Sequence, residues 1–182
     1  MDLSHIVDEV EDVSMITWVG GDYEKCKKSE RIWIVSENSD INYDFLNINK
    51  LFYPGKKIHP QRIHDKTAFY NFFQFYFMSD EPEPRMRDYE RGWKVFLNLL
   101  PYFNPAICLF MEDNPAKYLS RYIDHNVYSI TEERKNVYRL EDRKGNQYKF
   151  IFLNDVSDIK ETNEFLRKNM AKQLEELYKN IQ

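Results

Sequence analysis

The feature that most constrains the fold of this chain is a series of short β-rich runs that alternate with helix-like segments. Residues 31–35 are typical of a buried strand, because they are short, apolar and bounded by polar turn residues. Residues 106–110 form a similar run, and residues 68–77 begin as a strand before a helix or loop. Residues 40–66 have little regular pattern, so we expect a long excursion between the first two core strands.

Three segments show the spacing of helices. Residues 85–100 place apolar side chains three and four apart, and Pro101 marks the expected end of that helix. Residues 114–122 suit a second helix with Pro115 in its first turn. Residues 157–181 predict a long amphipathic helix. Its apolar stripe is expected to pack on the sheet, and a dimer contact is the alternative interpretation.

A hairpin completes the pattern. Residues 136–141 and 147–153 alternate as strands do, and Gly145 supplies the turn between them. The order strand, excursion, strand, helix, strand, helix, strand, helix predicts an α/β fold with three layers, α/β/α, around a mostly parallel four-stranded sheet. No repeat or linker interrupts it, so residues 1–182 are expected to form a single domain.

Composition excludes several classes of protein. The chain is 42% hydrophobic and 31% charged, which is typical of a globular domain. No apolar run approaches the roughly 20 residues that span a bilayer, so we expect no membrane association. The acidic start lacks the features of a signal peptide, and two cysteines suit a reducing compartment, so a cytoplasmic location is predicted. The net charge of -4 argues against a protein that simply coats nucleic acid.

Candidate functional residues follow the first two strands. Ligands of open α/β sheets bind outside the carboxyl ends of the strands, where Glu37, Asn38, Asn71 and Gln74 would converge if the strands are parallel neighbours. Glu37 could act as a general base, and the amides could pair with a pyrimidine edge. Tyr70 could stack on the ring. The alternatives remain that Glu37 caps the turn after its strand and that backbone groups satisfy Asn71.

Other chemistries find little support. The pair Gly20-Gly21 alone does not make a phosphate-binding loop, and no serine lies in a nucleophile elbow. Neither Cys26 nor Cys108 has neighbours in sequence that complete a tetrahedral zinc site. We therefore expect no metal and no cofactor.

The order of the short motifs resembles that of the uracil-DNA glycosylase superfamily, most closely its poorly characterised bacterial branches. The motifs are residues 18–23, 31–39, 68–74, and 105–110 with 116–119. The resemblance covers roughly residues 16–157. It implies that residues 36–39 position or activate the attacking water and that Asn71 reads the base edge.

Two positions depart from the family. Ser36 stands where the family usually has Gly, and residues 150–157 contain no His where the family usually supplies one to stabilise the departing base. Asn154 lies in that segment and can donate only a neutral hydrogen bond. These departures favour weak or absent base excision.

The resemblance implies a protein that binds nucleic-acid bases, in DNA or as a free nucleobase or nucleotide. In an enzymatic version it hydrolyses an N-glycosidic bond in DNA as a glycosylase. The alternative is a catalytically inactive member that binds a nucleotide, a base or a protein, with the C-terminal helix as a surface for a protein partner. The expected catalytic residues are Glu37 and Asn154, and the expected substrate-binding residues are Asn38, Tyr70, Asn71 and Gln74.

Overall fold

The structure is a computed structural model that describes residues 18–37, 65, 67–74 and 84–153. Within these ranges the chain forms one mixed sheet and two α-helices, with a short 3₁₀ turn at Lys28–Glu30. The strands are β1 (Trp18–Val19), β2 (Ile32–Ser36), β3 (Thr67–Asn71), β4 (Ile107–Phe110), β5 (Tyr128–Arg134), β6 (Val137–Asp142) and β7 (Gln147–Phe152). The helices are α1 (Met86–Phe103) and α2 (Ala116–Tyr122).

The strand order across the sheet is β1-β3-β2-β4-β7-β6-β5. The four central strands, β3, β2, β4 and β7, run parallel to one another. At the two sides, β1 pairs with β3, and β6 with β7 and β5, in antiparallel fashion. The α/β class is confirmed. The sheet, however, is mixed and seven-stranded within the described residues, because antiparallel strands extend the expected four-stranded sheet on both sides.

Buried side chains lie on both faces of the central strands, as parallel strands require. The first face, on which α1 packs, is lined by large rings and small aliphatic side chains: Trp33, Val35, Tyr70, Phe110 and Phe150. The alternate residues of the same strands lie on the second face, and they are also buried: Ile34, Phe69, Leu109 and Ile151.

Many of the described aromatic residues lie in the core between α1 and the first face. Trp33 is stacked between Phe96 and Phe103 of α1, with both ring centroids 4.4 Å away. Trp93 lies in the same layer, 5.4 Å from Phe110 and nearly parallel to Phe150 at 6.1 Å. Because rings of this size bury much apolar area, this layer fixes the position of α1 on the sheet.

Helix α1 continues past its expected end at residue 100 to Phe103, with Pro101 inside its last turn. Proline lacks an N–H and leaves the Leu97 carbonyl without its helical donor. The Tyr128 hydroxyl of β5 donates to that carbonyl at 3.5 Å. The helix ends at Asn104, which adopts the left-handed conformation (φ 42°) while its N–H donates to Leu100 O at 2.9 Å.

The predicted hairpin is confirmed: β6 and β7 pair antiparallel, and Gly145 takes a positive φ of 78° in the turn. The Asp142 carboxylate accepts from the backbone N–H groups of Lys144 and Asn146, both at 2.8 Å. Residues 15–19, for which the sequence predicts a short strand or an extended arm, lie outside the described residues except for Trp18 and Val19, which form β1. The predicted excursion lies almost wholly outside the described residues, and the predicted C-terminal helix does so entirely.

Candidate functional site

The carboxyl ends of β2, β3 and β4 meet at one edge of the sheet. Ser36 and Asn71 are Cα partners in the β2–β3 register, so the two strands end side by side. The ladder continues one step further, since the Phe72 N–H donates to Ser36 O at 2.7 Å. The Met111 N–H likewise donates to Val35 O at 2.9 Å, which leads the segment after β4 alongside the end of β2. Glu37 and Glu112 therefore emerge next to each other.

Glu112 fixes the end of β2 with both of its carboxylate oxygens. Its Oε1 accepts from the Ser36 hydroxyl at 3.1 Å, and its Oε2 accepts from the Glu37 backbone N–H at 3.0 Å. Hydrogen bonds to a charged acceptor are among the stronger ones in proteins. Ser36 is buried, and its hydroxyl helps to hold Glu112 at the end of β2.

The Glu37 carboxyl turns toward the two helices. Its Oε1 accepts from the Tyr89 hydroxyl of α1 at 3.3 Å, and its side chain also bonds that of Asn114 just before α2. Burial raises the pKa of Glu37 above its usual value, and the Asp113 carboxylate adds to this rise. The bonds from Tyr89 and Asn114 and the charge of Lys117 oppose it. Glu37 is therefore a half-buried acid whose charged form depends on these neighbours.

Asn114, in the turn just before α2, and Lys117, in the first turn of that helix, both lie close to Glu37. The Lys117 ammonium donates to Asn114 Oδ1 at 2.6 Å, and the Lys117 N–H donates to Asn114 O at 3.1 Å. The neighbouring Pro115 carbonyl accepts from the buried Trp93 Nε1 at 3.1 Å, which anchors this turn to α1. The polar groups around Glu37 are thus attached to rigid elements.

Tyr89 is held by aromatic contacts on two sides. Its ring stacks on Tyr118 at 4.4 Å and meets the edge of Phe73 at 5.1 Å. Burial raises the pKa of the Tyr89 hydroxyl, and the adjacent Glu37 raises it further. The hydroxyl therefore stays protonated across the physiological range and remains a donor to Glu37.

The other residues expected at the site have different positions. Tyr70 lies in the core, with its ring 5.3 Å from Trp33 and 5.9 Å from Phe96, so stacking on a ligand would require these rings to move. Gln74 is buried, and its Nε2 donates to Asn71 O. Strand alternation places Asn71 on the second face with Phe69, whereas the Glu37 carboxyl lies beside α1 on the first face. Asn38 and Asn154 lie outside the described residues.

The neighbours of Glu37 were not among the residues expected from the sequence. Glu112 does follow a predicted strand, so the rule that selected Glu37 also applies to it. Tyr89 and Asn114 belong to helical segments 52 and 77 residues further along the chain, and nothing in their local pattern connects them to Glu37.

Among the described residues, no three His, Cys, Asp or Glu side chains are placed to share a metal ion. In the same part of the chain, neither helix has the length and apolar character needed to cross a membrane. Comparison with known proteins finds no matching family model and no significantly similar curated protein. Functional inference therefore depends on the chemistry of this edge of the sheet.

Proposed function

We propose that the chain binds a nucleobase at the carboxyl edge of β2, β3 and β4, as a divergent protein of the uracil-DNA glycosylase-like fold. The half-buried Glu37 carboxyl, held by Tyr89 and Asn114, is the observation that supports this best. A carboxylate can accept about four hydrogen bonds, and two donors are identified here. An N–H or amino group of a base is a fitting further donor.

The topology supports a ligand site at this position, because ligands of open α/β sheets bind at the carboxyl ends of parallel strands. A three-layer α/β/α arrangement needs cover on both faces of the sheet. The buried second-face residues, such as Ile34 and Leu109, support such a third layer.

We favour binding without efficient base excision. Cleavage of an N-glycosidic bond leaves negative charge on the departing base, and catalysis requires groups that stabilise this charge. Glu37, Glu112 and Asp113 bring three carboxyl groups to this edge, and Lys117 is the nearby cation that acts on Glu37. The excess of carboxyl groups would repel the negative charge that forms on the departing base. We therefore favour a catalytically inactive base-binding protein over an active glycosylase.

Ligand binding can be tested by thermal unfolding of the native protein with each of cytidine, uridine, adenosine and guanosine. A ligand at 100 times its Kd stabilises the folded state by about 2.7 kcal/mol. We expect at least one nucleoside to raise the Tm, and we expect Glu37→Gln to abolish that rise because Gln lacks the charged acceptor. Glu90→Gln, on the exposed side of α1, is the matched control. A native protein whose Tm no nucleoside raises would contradict the proposal.

The enzymatic version has its own assay. Uracil-containing single- and double-stranded DNA is incubated with the protein at high concentration and then treated with alkali, which cuts the strand wherever a base was removed. We expect native protein and Glu37→Gln to give the same background scission. Scission by the native protein that Glu37→Gln loses would instead establish the glycosylase, with Glu37 as its general base.

A further inference from the structure

We propose that Asn114 is a positioning residue of this site: Lys117 orients its amide, and the amide in turn holds Glu37 as a charged hydrogen-bond acceptor. The role of Glu37 toward a ligand rests on the proposed function above. The link between Lys117, Asn114 and Glu37 does not, because it follows from contacts within the protein.

The orientation of the Asn114 amide follows from the chemistry of its two neighbours. The Lys117 ammonium has only donors, so the amide oxygen must face it, at the observed 2.6 Å. The amide nitrogen is then left to donate, and an ionised Glu37 is a pure acceptor. The flipped amide would set N–H groups against the ammonium and oxygen against the carboxylate. Both contacts would be repulsive, so the two charged neighbours select one orientation.

The backbone makes this arrangement rigid. The Lys117 N–H donates to Asn114 O at 3.1 Å, so the turn that leads into α2 brings the two residues together. The Trp93 indole donates to the carbonyl of Pro115, the residue after Asn114, from the buried side. This contact fixes the backbone of the turn, so the Asn114 amide is presented to Glu37 from a defined position.

Among the residues that the structure describes, other ionisable groups near Glu37 lie on α1, on α2 and in the segment after β4. Tyr89 of α1 donates to it, and Tyr118 of α2 stacks on Tyr89. Glu112 and Asp113 follow β4, and Asp113 opposes the charged form of Glu37. Asn114 therefore acts with Tyr89 to favour the charged form of Glu37 against the effect of Asp113, and its loss should be measurable.

The test is the pKa of the Glu37 side chain, followed by the ¹³C shift of its carboxyl carbon as pH is varied. Asn114→Ala should move the midpoint upward, because a bond to the charged form is lost. Asn114→Ser keeps a hydroxyl donor and should restore part of the native value. Asn98→Ala, on the exposed side of α1, is the control and should leave the midpoint in place. An unchanged Glu37 midpoint in folded Asn114→Ala would overturn the proposal.

The part played by Lys117 is tested with two variants of this exposed residue. Lys117→Gln and Lys117→Met both remove the positive charge, but only Gln can still donate to Asn114 Oδ1. The proposal expects a higher Glu37 midpoint in Lys117→Met than in Lys117→Gln. Equal midpoints would show that Lys117 acts on Glu37 by charge alone, and this comparison decides the matter even if Asn114→Ala does not fold. Failure of nucleosides to bind would remove the proposed function and leave these midpoints unaffected.

Discussion

At the scale of single residues, Glu37 lies in an environment that stability alone would not favour. Burying a carboxyl disfavours its charged form, which is why its pKa is raised. Two dedicated donors and a lysine reduce this cost without removing it. Side chains held in an environment that lowers stability often have a functional role.

This environment predicts how stability depends on pH. Because the folded-state pKa of Glu37 is raised, its contribution to stability is fully present below the ordinary carboxyl pKa and is lost as pH rises through the raised value. Gln does not ionise, so Glu37→Gln avoids this loss of stability. The unfolding free energy of the variant minus that of the native protein should therefore increase from pH 4 to pH 7. Urea unfolding at the two pH values measures the difference. Glu90→Gln corrects for the general loss of a surface charge, and an identical pH trend in both variants would refute the prediction.

Gly92 gives a second residue-scale prediction. A Cβ built at this position of α1 would lie 2.5 Å from Cε1 of Phe72, whose ring is fully buried. Alanine favours a helix over glycine by about 1 kcal/mol, but overpacking of a core costs about 1–3 kcal/mol, so Gly92→Ala should be destabilising. Gly21→Ala is the control, because a Cβ there meets nothing within 4 Å. Chemical denaturation of both variants provides the test, and a stabilised Gly92→Ala would contradict this packing.

The site was partly predictable from its residues. Glu37 and Asn71 follow apolar runs, and the end-of-strand rule places both at the correct edge of the sheet. The same rule could not show that Tyr70 points into the core, because the face of each side chain depends on the strand register. Tyr89 and Asn114 reach Glu37 only after two helices have packed, and no short-range pattern encodes that contact.

At the scale of elements, the sequence predicted strands correctly where an apolar run was bounded by clear turn residues. Strands β2 and β4 and the β6–β7 hairpin combine apolar runs with clear boundaries, and all were predicted. Strand β5 was not, since exposed polar and charged residues fill positions 131–133 and make it resemble a loop. Strands β5 and β6 form a second hairpin, and Asn136, with a φ of 61°, lies in its turn. An asparagine at this position is the sequence feature that could have predicted the turn.

The end of α1 shows how tertiary contacts change a local rule. Pro101 was expected to stop the helix, but the Tyr128 hydroxyl supplies a donor for the Leu97 carbonyl. Tyr128→Phe should therefore cost about 1 kcal/mol, the net value of one hydrogen bond. In hydrogen exchange, the Asn104 amide, which donates to Leu100 O, should lose protection more than the amides of β2. Tyr102→Phe, an exposed tyrosine on the same turn, is the control, and equal effects of the two variants would argue against this role.

At the scale of the whole molecule, the sheet and α1 form one aromatic core, and the candidate site lies where its parallel strands end. The stacking of Trp33 on two α1 rings is the centre of that core. The expected sheet was too small because its antiparallel sides were not assigned to it. The added antiparallel strands do not change where the candidate site lies, because its position depends only on the parallel strands at the centre of the sheet.

The most direct measurement is a titration of the native protein with each of cytidine, uridine, adenosine and guanosine, followed by the backbone amide shifts in ¹H–¹⁵N spectra. With at least one nucleoside we expect the largest changes at Glu37, Glu112 and Asn114, and we expect Glu37→Gln to remove them. Changes concentrated at the opposite edge of the sheet, around Lys28 and Tyr148, or no changes at millimolar nucleoside, would contradict a ligand site at the carboxyl ends of β2 and β4.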